Sequence, residues 1–363
     1  MRSFLISKFG FANFQYFEFL KRIIFYNIAM GSLGLFPQLM HWSSDKRITS
    51  VLISNYYVSE KVYLVLGGLC EMIVVCIAGI NAKYDRFEVY PELSRKQTML
   101  DKIPRTVLHS GFLKKIRRFI STIVFGIVVI GIIIVSFLLG TVPKDFLSGS
   151  SDLFNSQVIL LAAFVAMIQT QSSSICFLLT SYEEHSTWSS FRRQYFIKTL
   201  LLKVVSTAAG FIGITFISIT ESNSVQCTIP NYALILIVFS YAIKYVVLFV
   251  SLIGNRMHFI PKPDFNLADE FADTIHKTFI GFSTFFGFPI IGLFSAVISV
   301  LHYGLLLFSL KYIYNPPIRP SKSLMPVVNY MFSNICFLSL ISSRMAFIPG
   351  ILEVSLTNAC LSN

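Results

Sequence analysis

Residues 181–196 read SYEEHSTWSSFRRQYF, a knot of charge and aromatic rings set between two apolar runs, ILLAAFVAMIQTQSSSICFLLT at 159–180 and IKTLLLKVVSTAAGFIGITFISI at 197–219. Each run is close to the roughly 20 residues a helix needs to cross about 30 Å of hydrocarbon. A short polar knot between two such runs fits the head-group end of a helical hairpin, where amphipathic rings and basic residues favour the membrane interface. The whole chain repeats the pattern. Its 363 residues are 54% hydrophobic and 13% charged, with a mean hydropathy of +0.68, whereas about 25% charged is ordinary for a soluble domain. The first residues, MRSFLISKFGFANF, lack the uninterrupted apolar core and small-residue cleavage site of a signal peptide. The first span is therefore expected to be retained and to act as the insertion signal.

Apolar runs between polar knots predict helices at 17–40, 58–82, 119–141, 155–181, 197–219, 230–254, 272–289, 290–313 and 326–348. The fold class expected is an all-α, polytopic membrane bundle of about nine spans forming a single transmembrane domain over 1–363. The seventh and eighth spans are divided only by GFPIIG, where Pro289 and the flanking glycines suit a tight turn or a break in one hairpin.

Sidedness follows from Lys and Arg, which are in excess in cytoplasmic loops near span ends. With the N-terminus inside, cytoplasmic segments collect 23 of the 30: four at or before span 1, ten between Lys83 and Arg118, and three each after spans 4, 6 and 8, with Lys277 counted among those after span 6. Lys46, Arg47, Lys61, Lys144 and Arg344 fall on the other side, and Lys203 and Lys244 lie inside spans. The net charge of +12 then reflects sidedness and contact with anionic lipid heads, with no need for nucleic acid. Arg192, Arg193 and Lys198 are expected to hold the 181–196 loop at the inner surface, and Tyr182, Trp188 and Tyr195 to sit at the interface. The basic segment 83–118 reads as a cytoplasmic loop ending in an interfacial amphipathic stretch.

Polar side chains inside spans mark candidate paths, because each must otherwise be satisfied within lipid. In span 8, Ser295, Ser299, His302 and Ser309 share one helix face. Span 4 carries Gln169, Thr170, Gln171, Ser172, Ser173 and Ser174 about midway, and span 6 carries Ser240 and Lys244 at i, i+4, with Tyr241 and Tyr245 alongside. Such hydroxyls also bond across helices or back to their own backbone. A glutamine amide has more donors and acceptors than one neighbour satisfies, which sets Gln169 and Gln171 apart. Glu71 lies in the middle of span 2, where a structural partner or a water-filled cavity would account for it.

In their order along the chain these segments resemble the transmembrane channel-like family, TMC. The acidic–aromatic–His stretch and basic helix start of 181–196 look like the family's link between spans 4 and 5. FLKRIIFYNIAMGSLGLFPQLMHW at 19–42 is similar to its first span, and SNYYVSEKVYLVLGGLCEMIVVCIAGI at 54–80 to its second. The stretch from Asp264 to Ser323, containing DFNLADEFADTIHKTFIGFSTFFGFPIIG, resembles its seventh and eighth spans and the basic, Ser-rich tail after them. Two departures stand out. QCTIPN at 226–231 keeps only Cys227 of the family's Cys-Trp-Glu-Thr, and TNACLSN at 357–363 falls about where the family's tenth span would follow.

The resemblance implies a TMC/anoctamin-like bundle in the plasma membrane, with ions passing along a groove lined by spans 4–8, here 155–313. It also implies mechanical gating, a homodimer contact carried by the tenth helix, and a cytoplasmic auxiliary subunit docking at 83–118. The pore-lining residues expected are Gln169, Gln171, Ser172, Ser173, Ser240, Lys244, Ser295, Ser299 and His302. Animal members place an acidic residue near Lys244, so the local field would be reversed here. If Lys244 faces the groove, Lys244→Asp is expected to move selectivity toward cations, with Lys244→Gln between. The competing reading has Lys244 turn away to pair with a carboxylate or snorkel to a head group.

Catalysis finds no motif: there is no H-E-x-x-H, G-x-S-x-G, phosphate loop or Cys-x-x-Cys, and no cofactor or metal is expected. Cys70, Cys76, Cys176 and Cys336 lie within spans as packing thiols. Cys227 and Cys360 fall in external loops, where a disulfide between them is permitted. The function expected is an ion channel or channel-like subunit of the TMC type. The alternatives are a lipid scramblase of the anoctamin-like superfamily, or a non-conducting truncated subunit. A polar stripe facing lipid would favour scrambling, and one sealed by neighbouring helices would favour ions.

Overall fold

The computed structural model describes residues 11–45, 61–84, 111–140, 156–220, 225–256, 265–284, 291–314 and 324–353, with side chains over most of these. The described residues contain nine α-helices and no strand: α1 Phe11–Asp45, α2 Lys61–Tyr84, α3 Gly111–Gly140, α4 Ser156–Tyr182, α5 Trp188–Thr220, α6 Val225–Arg256, α7 Leu267–Thr284, α8 Ile291–Tyr312 and α9 Leu324–Glu353. Each corresponds to one expected span; most are extended at one or both ends, while α8, Ile291–Tyr312, falls just inside the expected 290–313. The turn expected at Pro289, most of the 83–118 loop and the tail with Cys360 lie outside the described residues, as does the side chain of Cys227.

Six helices among the described residues are long and apolar enough to cross a membrane: α3, α4, α5, α6, α8 and α9. The outer surface agrees with that environment. Only 11% of the apolar window of α3 is buried, and Phe112, Phe119, Ile127, Ile130 and Leu138 point outward with more than half of their surface exposed. A continuous apolar face of this kind is far larger than a soluble monomer tolerates, and in lipid it carries no penalty. The protein is a helical membrane bundle.

The helices alternate in direction. The first turns of α3 meet the end of α4 through Ser121, whose hydroxyl donates to the Leu179 carbonyl oxygen at 3.4 Å. Near the start of α1, Tyr16 meets Thr274 in α7, and Phe19 packs edge-on against Phe332 near the start of α9, with ring centroids 5.4 Å apart. The basic residues Lys114 to Arg118, Arg192, Arg193 and Lys311 belong to helix ends that gather on this same side.

α7 stands in the middle, packed by α1, α5, α6, α8 and α9. Almost every one of its residues is buried, including Glu270, His276 and Lys277. A helix this charged is excluded from lipid contact, and its neighbours supply the shield. Asp269 and Glu270 occupy its first turn, where the helix dipole favours negative charge.

α1 and α8 cross in near contact of backbones. A Cβ on Gly292 would lie 2.6 Å from the Gly31 nitrogen and 3.1 Å from the Asn27 oxygen. Small residues are what allow membrane helices to approach this closely. Gly292→Ala is expected to force the pair apart and to cost about 2 kcal/mol, read as a lowered unfolding midpoint in detergent. Gly304→Ala, whose Cβ would meet nothing within 4 Å, is expected to leave the midpoint in place. Equal midpoints for the two variants would contradict the close crossing.

Candidate functional site

The acids of α7 meet basic side chains from two neighbours. Lys203 of α5 pairs with Asp273, and with Asp269 at 3.3 Å. Lys244 of α6 reaches Glu270 at 2.7 Å and Asp273 at 2.9 Å. Glu270 also faces His302 of α8, 3.5 Å from the imidazole Nε2. The Tyr16 hydroxyl of α1 lies 2.8 Å from Thr274 Oγ1 and 3.4 Å from His302 Nε2. Asp273 therefore holds two ammonium groups at once, one on each carboxylate oxygen.

A neutral polar chain continues from this charged centre. Gln169 of α4 donates through Nε2 to Thr207 Oγ1 at 3.0 Å and lies 3.2 Å from His276 Nε2, and its Oε1 accepts from Ser240 of α6 at 2.8 Å. Thr207 and His276 are 2.7 Å apart. One helix cannot meet all four hydrogen-bonding sites of an amide, and here α5, α7 and α6 supply three partners. Ser173 of α4 closes the set by donating to Asp269 at 2.5 Å.

Most of the residues expected on a path are brought together. Gln169, Ser173, Ser240, Lys244 and His302 join this network, and Ser295 and Ser299 are buried on the same face of α8. Ser172 is buried but bonds back to the Gln169 carbonyl oxygen at 2.6 Å, and Ser309 bonds back to Leu305 at 2.8 Å. Gln171, Thr170 and Ser174 are exposed on the outer side of α4, since at about 100° per residue Gln171 is turned about 200° from Gln169. Lys244 lies beside the Gln169 and His302 network and pairs with the carboxylates of Glu270 and Asp273.

Three expectations need correction. Lys277, counted with the cytoplasmic loop charges, is buried in α7 with its ammonium 3.6 Å above the Tyr241 ring. The seventh helix begins at Leu267 rather than 272, so Asp269 and Glu270 are part of the bundle rather than of a loop. Lys198 and Tyr195, placed at the membrane surface, are 8% and 2% exposed. Asp269, Glu270, Asp273, His276 and Lys277 were not recognised as site residues; their spacing along one helix, opposite two intramembrane lysines, was the available signal.

The 181–196 knot has a structural explanation. Glu183 accepts from His185 Nε2 at 2.8 Å and from Lys198, Lys198 also donates to Ser121 of α3 at 3.0 Å, and Arg117 of α3 pairs with Glu184 at 2.7 Å. Glu184 takes a left-handed φ of 50° in closing the turn. The knot thus ties α3, α4 and α5 together. Burial pushes the Glu183 carboxyl up, but the hydrogen bonds from His185 and Lys198 outweigh it, and its pKa falls from an ordinary 4.5 to about 2. A carboxyl depressed in the folded state stabilises fully above its unfolded value and loses that contribution as pH falls. This contribution is therefore expected to disappear between about pH 4.5 and 2. Glu183→Gln is expected to cost about 3 kcal/mol at pH 7 and to flatten that acid limb; an unchanged midpoint from pH 7 to 3 in both proteins would contradict it.

Among the described residues, no group of three His, Cys, Asp or Glu side chains is placed to hold a metal ion. No protein-family model matches the chain, and no curated protein matches it. The function is read from the bundle and its charged centre.

Proposed function

We propose that the chain is an ion channel or channel-like subunit of the TMC type, passing ions along the polar axis between α4, α5, α6, α7 and α8. The observation that carries the reading is the buried network from Gln169 and Ser240 through Lys244, Glu270 and Asp273 to His302, set inside helices whose outer faces are apolar. Intramembrane ionisable groups that face a bundle interior mark ion or proton paths more often than packing. The ion pairs of Lys203 and Lys244 cross this axis, so the conformation described is a closed one, and conduction requires these pairs to separate.

A lipid scramblase needs polar groups open to head groups along the bundle surface. Ser295, Ser299 and His302 are 6%, 6% and 3% exposed, a sealed stripe that supports ions over lipid heads. The clustering of basic helix ends on one side supports a cytoplasmic N-terminus, and the channel reading places the protein in the plasma membrane.

The test is paired recording and lipid-flip measurement on one reconstituted preparation. Single-channel or macroscopic current without lipid flipping is expected. Flipping without current would replace this reading with scrambling, and neither activity would leave a non-conducting subunit.

A further inference from the structure

The first turns of α1 are buried in a way that the following turns are not. Every residue from Asn13 to Leu20 except Glu18 is buried, so about two turns are covered on nearly all faces. From Lys21 onward burial narrows to one stripe, Ile23, Tyr26, Asn27 and Met30, the spacing of a helix with a single face on the bundle. Phe25 on the other face is 67% exposed. The beginning of α1 is therefore inserted among its neighbours, whereas the turns that follow lie along them.

Its side chains bear on three helices. Tyr16 sets its ring edge-on to Phe271 of α7, with centroids 5.0 Å apart, and Phe19 meets the same Phe271 at 5.4 Å and Phe332 of α9 at 5.4 Å. Phe17 packs edge-on against Tyr303 of α8 at 5.1 Å. The Tyr16 hydroxyl lies 2.8 Å from Thr274 Oγ1. Thr274 already donates its own proton to the Glu270 carbonyl oxygen at 2.9 Å, so Tyr16 is the donor to Thr274. α8 and α9 thus back a wedge whose other side meets α7.

The face of α7 that the wedge meets is opposite the one that holds Lys203. At about 100° per residue, Phe271 is about 160° round the helix from both Asp269 and Asp273, the two acids paired with Lys203 of α5. α7 is therefore clamped, with the start of α1 on one side and the lysine of α5 on the other. A movement of α7 away from α5, which would separate those pairs, runs into Tyr16 and Phe19.

We propose that the first turns of α1, Asn13 to Leu20, form an intramolecular wedge that holds α7 in its closed position, with the Tyr16 hydroxyl on Thr274 as the latch. Tyr16 is a positioning residue, acting on the axis through α7. The effect on current rests on the channel reading, whereas the clamp on α7 is a property of the packing and is measured without current.

The experiment compares Tyr16→Phe and Thr274→Val, which keep the packed shapes and remove the hydrogen bond from either end. Each is made in the full chain, singly and together, with Ser299 intact and with Ser299→Cys. One readout is the rate at which a small charged methanethiosulfonate modifies the Ser299→Cys protein in detergent, in excess of the same chain with Ser299 intact; the other is open probability after reconstitution. Loss of one buried hydrogen bond shifts a two-state equilibrium about fivefold. Each single variant is therefore expected to raise both readouts about fivefold, and the double variant no further than either. Phe25→Ala, on the exposed side of α1, is expected to leave both unchanged. Monodispersity on size exclusion identifies folded variants, and Thr274→Val carries the test if Tyr16→Phe fails to fold. A modification rate unchanged or lowered in both single variants would overturn the wedge, and effects that add fully in the double variant would overturn the latch between Tyr16 and Thr274. A raised rate without current from any variant would leave the wedge standing and overturn the channel reading; current with an unchanged rate would do the reverse.

Discussion

Asp273→Asn is expected to destabilise the folded protein by about 4 kcal/mol, the range for breaking a buried ion pair while leaving its partner in place. Asp273 engages Lys203 through one carboxylate oxygen and Lys244 through the other, the latter at 2.9 Å. An asparagine keeps one acceptor and turns a donor toward one of the two ammonium groups, so at least one lysine loses its counter-charge. Asp269 is the internal comparison. Its side chain is 27% exposed and its contact with Lys203 is 3.3 Å, so Asp269→Asn is expected to cost only about 1 kcal/mol. Unfolding midpoints in detergent would separate the two, and adding Lys203→Met to Asp273→Asn is expected to recover part of the loss. Equal costs for Asp269→Asn and Asp273→Asn would show that α7 is not held by its central acid.

The second large effect is on selectivity and rests on the proposed path. Removing the Lys244 charge leaves Glu270 and Asp273 less compensated, so the axis becomes more negative by one unit. At a separation of about 10 Å and an effective dielectric near 20, one unit charge changes the energy of a passing ion by about 1.7 kcal/mol, which is more than tenfold in relative permeability. Lys244→Gln is therefore expected to shift reversal potentials toward cations by at least about tenfold in permeability ratio. Lys244→Asp, which is the larger charge change, is not the better test: it would put a third carboxylate beside Glu270 and Asp273, now 2.7 and 2.9 Å from the ammonium, and is expected to reduce folded protein. A reversal potential identical in Lys244→Gln and the unaltered protein would leave Lys244 as a purely structural charge.

The bundle was legible because hydrophobic length is a direct consequence of bilayer thickness, and each run such as 119–141 or 197–219 must satisfy its backbone as a helix. The centre was legible in part. Gln169, Ser240, Lys244 and His302 stood out as polar residues inside apolar runs. Their partners did not, because Asp269, Glu270 and Asp273 lie where a hydropathy reading ends a loop and begins a span. Two lysines inside spans require opposite charges somewhere in the bundle, and the acids of 269–273 recur at helical spacing just before an apolar stretch. That requirement, applied to Lys203 and Lys244 together, was the stronger clue. Gln171 shows the opposite limit: a polar cluster in sequence covers every side of a helix, and only packing decides that Gln169 turns inward while Gln171 turns outward. Lys198 and Tyr195 were misplaced for a related reason, since a charge near a span end reads equally well as a lipid anchor or as the partner of a buried Glu183.

The central claim, that the buried axis is the conducting path, is tested most directly by thiol modification of cysteine variants during current recording. Ser173→Cys and Ser299→Cys lie on the axis, whereas Gln171→Cys and Val297→Cys lie on the exposed faces of α4 and α8. With the unaltered protein insensitive to the reagent, the account predicts that a small charged methanethiosulfonate blocks or alters current through the two axis variants while the channel is open, and leaves the two outer variants unchanged. Modification that alters current at Gln171→Cys and Val297→Cys but not at Ser173→Cys and Ser299→Cys would contradict it and place the path on the outside of the bundle.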